Sequence, residues 1–334
     1  MLKIFIFTIN AILPVILLML LGYILKRIGF FTKDFLKMAN KAVFYVFLPT
    51  LLFKNISDVT SITDINWSVI AVVIAVVVIL FLVGLLITKL IKSPKDKGVV
   101  LQCVFRSNFA LIGVSLAEMI GGAAGVRSAA IISAFSIPIY NILAVIALSV
   151  FSDEKQTDVK QEIITILKKI LTNPLIIGVV SGIVVLVVKP FVMDIVLSDI
   201  TEGFSFITVF ISYVARVASP LSLIVLGGQF DFSRVAGYRQ QIFISVFARN
   251  FMAPGIGLGL AIVLNNLGYV NFDAGVYASL IALFGTPVAV SSAIMAEEMG
   301  SNGQLAGQLV VWTTVVSAFS LFIIIFMLRL IGVI

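Results

Sequence analysis

The chain contains no histidine and a single cysteine, Cys103. Without histidine, His-ligated metal centres and every Ser–His or Cys–His catalytic pair are excluded. One cysteine cannot close an internal disulfide, so the redox compartment stays open. Charge is scarce as well. Asp, Glu, Lys and Arg make up 12% of the 334 residues, where a soluble domain carries about 25%. Too little polar surface is left to face water, and the chain belongs in lipid. The formal net charge of +7 does not point to nucleic acid, because the basic residues sit in short loops between apolar spans.

What is abundant is hydrophobic sequence, 61% of the chain. At about 20 residues per crossing, ten spans fit, near 4–26, 35–56, 67–90, 98–121, 126–150, 173–190, 203–230, 238–265, 273–299 and 303–331. The first has no small-x-small cleavage site and is read as a transmembrane helix rather than a signal peptide. Loops after odd-numbered spans hold most of the lysine and arginine, among them Lys26, Arg27, Lys33, Lys37, Lys89, Lys92, Lys168 and Arg234. The positive-inside rule then places those loops in the cytoplasm and both termini outside. The longest polar stretch, 151–172, carries Asp153, Glu154, Asp158 and Glu162. Its apolar residues recur at helical spacing, which fits either a helix on the inner membrane face or a solvated linker. It divides the chain into a first five-helix repeat (1–150) and a second (173–334).

Spans four and nine are interrupted near their middles. The first breaks around Asn108 and Gly113, the second around Gly285 and Pro287, all poor residues for a helix interior. At an offset of about 179 positions, Ala117–Gly121 falls on Ala296–Gly300 and Asn108 on Pro287. The segment Phe47-Leu48-Pro49-Thr50-Leu51-Leu52 likewise resembles Ala218-Ser219-Pro220-Leu221-Ser222-Leu223. Five spans per half is an odd number, so the repeats must be inverted. Paired broken helices in such repeats point to a transporter's binding site.

Three arginines lie well inside spans: Arg106, Arg216 and Arg249. A charge near mid-bilayer is costly and faces a cavity or a partner. No acidic residue lies at similar depth, so an anion would compensate. The plainer alternative for any one of them is an arginine binding carbonyls freed by a broken helix. The second segment of a broken helix offers free N–H groups and a positive dipole end, which suits a carboxylate. Asn108 supplies donor and acceptor at the break. Thr286, Ser291 and Ser292 supply hydroxyls on the other side, although helix packing is the better explanation for any single one of them. Asn141 could line a cavity or bridge helices.

Ala11-Ile12-Leu13-Pro14-Val15, Leu21-Gly22-Tyr23, Val46-Phe47-Leu48-Pro49, Arg106 through Gly113, and Thr286-Pro287-Val288 through Ala296-Glu297 together resemble the auxin efflux carrier family of permeases. The resemblance covers essentially the whole chain and rests on order and spacing. It implies an all-α membrane protein with ten helices in a sodium–proton-antiporter-like fold and crossed broken helices 4 and 9. A scaffold comes from helices 1, 2, 6 and 7, and a moving transport domain from helices 3–5 and 8–10. It implies organic-anion substrates and a binding asparagine matching Asn108, followed by a glycine matching Gly113. Ser115 and Ser292 stand where the family often has proline. The large cytoplasmic loop of plant carriers is missing, which fits a short prokaryotic-type permease.

The expected function is therefore a secondary transporter for a small organic anion, a carboxylate by preference, in the cell membrane. The substrate-binding candidates are Asn108, Gly113, Arg106, Thr286, Pro287, Ser291, Ser292, Arg249 and Asn141. No catalytic residue, metal or cofactor is expected. A coupling proton or sodium ion is left open, as is a homodimer through the scaffold. A cation–proton antiporter ranks lower because no carboxylate lies at mid-depth. An intramembrane enzyme ranks lower still, since Gly113-Val114-Ser115-Leu116-Ala117 lacks the closing glycine of a nucleophile elbow.

Overall fold

The computed structural model describes residues 2–58, 66–151, 159–193 and 205–334. Among them the only pairing of extended backbone is one isolated bridge, and the rest is helix and turn. Among the described residues six helices are long and apolar enough to cross a membrane. A seventh joins them if the bent pair Ile163–Leu171 and Pro174–Val188 is one span.

Helix α1 is Leu2–Arg27. The next span, Lys33–Ser57, is made of α2 (Lys33–Ala42), a π turn (Val43–Phe47) and α3 (Leu48–Ser57). The Thr32 hydroxyl opens α2 by accepting from the Phe35 N–H at 3.1 Å. The π turn answers Pro49, whose ring would otherwise press on the carbonyl four residues back. The same pairing recurs where a π turn at Ala248–Met252 precedes Pro254.

Helix α4 (Trp67–Ile87) starts at Asn66, whose side chain accepts from the N–H groups of Ser68 and Val69. Helix α5 (Pro94–Phe105) stops short, and the chain re-enters helix through a π turn at Phe109–Gly113 and α6 (Val114–Val150). Within α6, Gly122 has φ +57° and ψ −144°. A residue with a Cβ strongly disfavours that conformation. Two rods meet there, at the boundary expected between spans four and five.

Helix α7 (Val159–Leu171) occupies part of the polar stretch, and α8 (Pro174–Met193) leaves it at 60°. Asp153, Glu154 and Asp158 lie outside the described residues. Then follow α9 (Ser205–Gln229), α10 (Arg239–Phe247), α11 (Ala253–Asn266), α12 (Ala274–Gly285), α13 (Ser291–Glu298) and α14 (Gly303–Leu330).

Close packing runs through small residues, as in other membrane bundles. α1 meets α9 where a Cβ on Gly22 would lie 1.9 Å from the Ile224 carbonyl oxygen and one on Gly227 would lie 1.8 Å from that of Met19. α3 meets α8 where Gly178 sits against Pro49 and Gly182 against Phe53. α12 lies along α6, with Gly275 against Ala124 and the Ser279 hydroxyl donating to the Gly125 carbonyl at 3.0 Å.

Candidate functional site at the crossing of two interrupted helices

α5 ends at Phe105, and Arg106 is extended (φ −86°, ψ 118°). α12 ends at Gly285, and Thr286 is extended (φ −70°, ψ 154°). Pro287 accounts for the second break, because the residue before a proline is driven out of the helical region. Ser107 and Asn108 favour the first, since their short polar side chains compete for backbone groups. The two extended segments run antiparallel and pair through Ser107 and Val288. The Asn108 N–H donates to the Pro287 carbonyl at 2.8 Å. The Val288 N–H donates to Thr313 Oγ1 on α14 at 3.3 Å. The breaks therefore meet, and their exposed backbone is partly satisfied by one another.

Behind the crossing lies Arg249, fully buried. Its Nε donates to the Thr286 carbonyl at 3.0 Å, and Nη2 donates to those of Phe284 (2.7 Å) and Leu283 (3.2 Å). Nη1 reaches the Val104 and Phe105 carbonyls, each at 3.4 Å. Four of these belong to the last turns of α5 and α12, and the Thr286 carbonyl follows α12 directly. One guanidinium thus caps the negative ends of two helix dipoles and satisfies acceptors the breaks set free.

In front of the crossing lies Arg106, 3% exposed. Its Nη1 donates to Gln102 Oε1 at 2.7 Å and to Met295 Sδ at 3.2 Å. Its Nη2 donates to Asn141 Oδ1 at 2.8 Å and to Ser291 Oγ at 3.0 Å. Every one of these acceptors is neutral. Arg106 and its neighbours line a cavity of about 50 Å³. The start of the chain beyond each break opens on it, through Asn108 and Ala110 on one side and Ala289, Val290 and Ser291 on the other. α13 begins there with no side-chain cap. The Asn108 Nδ2 group is buried without a hydrogen-bond partner. Ser107 Oγ and Tyr140 Oη, also on the cavity, make no hydrogen bond of normal geometry.

The structure thus brings Arg106, Asn108, Asn141 and Ser291 to one cavity. It places the other candidates elsewhere. Arg249 belongs to the carbonyls behind the crossing, the plainer of the two roles considered for it. The Thr286 hydroxyl is buried without a partner and away from the cavity, and the Pro287 carbonyl is spent on Asn108. The Ser292 carbonyl accepts from Gln102 Nε2 at 3.2 Å, while its hydroxyl is unpaired and off the cavity. Gly113 is helical and is not itself the break. It lies under the Phe109 ring, where a Cβ would come within 2.1 Å of Cδ2. Arg216 is exposed on the outer face of α9. Of the three arginines read as facing a cavity or a partner, Arg106 lines the cavity and Arg249 meets carbonyl partners.

Sequence reasoning missed Ser107, Tyr140 and Ser222 as cavity residues. Each adjoined a signal already in hand: Ser107 lies between Arg106 and Asn108, Tyr140 precedes Asn141, and Ser222 follows Pro220. Leu48, Leu51 and Leu52, from the other proline segment, close the same cavity. Among the described residues no group of three metal-ligating His, Cys, Asp or Glu side chains occurs.

A family model described as membrane transport protein matches residues 7–325 of the chain. No curated protein matches it.

Proposed function

This chain belongs to the auxin efflux carrier family of membrane transport proteins, and from that premise we propose that it carries a small organic anion, by preference a carboxylate, bound at the crossing in front of Arg106. The observation that carries this reading is a buried guanidinium held only by neutral acceptors beside a cavity with an unsatisfied amide donor. A buried charge without a counter-ion is costly. An anion arriving in the cavity offsets that cost and meets two helix N-terminal ends. The cavity holds only about four waters' worth of space, which favours a carboxylate of few atoms over a bulky aromatic one.

Transport proceeds by alternating access. The ten spans form two inverted five-helix repeats. α1, α2–α3, α8 and α9 act as a scaffold that the remaining helices move against. The glycine-mediated contacts of α1 with α9 and of α3 with α8 support a rigid scaffold. The lysine and arginine bias supports a cell-membrane protein with both termini outside. A coupling proton or sodium ion and a scaffold-mediated homodimer complete the proposal.

The test is thermal unfolding of the purified protein with acetate, malonate and succinate, against choline as an organic cation. A carboxylate at a hundred times its dissociation constant should stabilise by about 2.7 kcal/mol. Stabilisation by the cation and by none of the carboxylates overturns the reading.

A further inference from the structure

A second and much larger cavity, about 790 Å³, lies between α1, α2 and α9 on one side and α13 and α14 on the other. Its lining holds Lys26, Arg27, Lys33, Lys37 and Arg234 against the carboxylates of Asp231 and Glu297. The arginines are engaged locally. Arg27 Nε donates to Tyr23 Oη at 2.9 Å, and its guanidinium lies 5.2 Å over that ring. Arg234 Nε approaches Asp231 at 3.8 Å. Asp231 is itself turned to Ser233, whose hydroxyl and N–H donate to Oδ1 at 2.7 and 2.9 Å and hold the carboxyl below the usual range. Lys26, Lys33 and Lys37 make no ion pair within 4.0 Å among the described residues, and of the three only Lys37 acts on the Glu297 carboxylate, from farther off.

The same turn of chain exposes large apolar side chains. Phe30 is 73% exposed, Met38 72% and Ile28 69%. Unpaired lysines interleaved with exposed apolar groups match an amphiphile: side chains enter the acyl region while ammonium groups reach the phosphate level. A soluble anion would need the lysines alone. The positive-inside rule puts this cavity at the inner leaflet, where basic pockets between helices take anionic headgroups.

We propose that this cavity binds the phosphate of an anionic phospholipid headgroup through Lys26, Lys33 and Lys37. Its walls belong to both groups of helices, so a bound lipid bridges the junction across which they would move.

Native mass spectrometry of the full-length protein, titrated in detergent with phosphatidylglycerol or phosphatidylcholine, tests the assignment. Phosphatidylglycerol should bind tighter. At about 1 kcal/mol per lysine near the surface, K33Q/K37Q should weaken it by about tenfold or more and leave phosphatidylcholine unchanged. The charge-matched K89Q/K92Q, on another basic loop, should bind like the wild type. Should K33Q/K37Q lower the thermal midpoint in phosphatidylcholine, the single variants K26Q and K33Q carry the comparison. Equal binding of the two lipids overturns the proposal, as does equal loss in K89Q/K92Q. If inorganic phosphate alone competes phosphatidylglycerol away at equal concentration, the site takes a soluble anion and the lipid assignment is wrong.

Discussion

Arg106 and Arg249 stand on opposite sides of one crossing, both buried and both without a carboxylate, yet their surroundings differ. Arg249 is surrounded by main-chain oxygens that belong to the two helix breaks. Arg106 is surrounded by the side chains of Gln102, Asn141, Ser291 and Met295, beside empty space. The first arginine is neutralised by dipoles and holds the breaks in place. The second is hydrogen-bonded but not neutralised, which is why the proposed anion is placed beside it. Residue type and burial are nearly the same, and the kind of acceptor is what separates the two.

The sharpest way to break this comparison is Arg249→Ala. It strands five carbonyls in a dry interior, and each unsatisfied buried group costs about 1–3 kcal/mol. The loss should be about 3 kcal/mol or more, read as a large fall in thermal midpoint or as failure to purify. Arg249→Lys should recover only part of it, because an ammonium has three donors and no fork. A variant as stable as the wild type would show that the carbonyls find other partners.

Arg106→Gln should do the reverse. It removes a buried charge that no carboxylate offsets, and the new amide re-engages part of the Gln102, Asn141 and Ser291 set that loses its donor, so the loss of stability should be well below that of Arg249→Ala. Carboxylate uptake into proteoliposomes and carboxylate-induced stabilisation should both fall at least about tenfold, the loss expected for one charge-assisted hydrogen bond. If instead Arg106→Gln unfolds the protein while binding in surviving molecules is intact, the two arginines do the same job.

Asn108→Ala refines the picture within the cavity side. The main-chain bond from Asn108 to Pro287 does not depend on the side chain, and Nδ2 has no partner to lose. The fold should tolerate the change. Anion binding should weaken by roughly tenfold. Unchanged binding would assign the amide to the crossing alone.

Much of this architecture is legible in sequence, for reasons that particular residues show. Scarce charge forces the chain into lipid. Pro287 forces a break, and Ser107-Asn108 inside an apolar span marks the other. What could not be read is which way a side chain points. In a soluble helix a polar stripe reveals the outer face, but here lipid is as apolar as the interior. Arg216 therefore looked like Arg249, although one is exposed and the other fully buried. Arg249 also sits in a π turn, which rotates the register between Phe247 and Ala253. Tyr140 and Ser222 looked like ordinary helix residues until the two breaks were brought beside them. Gly113, read as a breaker, is required by contact with Phe109 instead.

The smallest effect belongs to Thr286, and it tests the comparison from the quiet side. Its carbonyl holds Arg249, but its hydroxyl is fully buried with no hydrogen-bond partner and lies off the cavity. A valine at this position has nearly the same shape. The branched side chain keeps the extended backbone that Pro287 already imposes. Replacing a polar atom that has nothing to bind with a methyl removes a desolvation penalty without removing a bond. Thr286→Val should therefore leave uptake unchanged and raise stability by up to about 1 kcal/mol, read from denaturation in the same detergent as the wild type. A fall in uptake with stability preserved would bring the Thr286 hydroxyl into the transport path, and the division of the crossing into a holding side and a binding side would no longer stand.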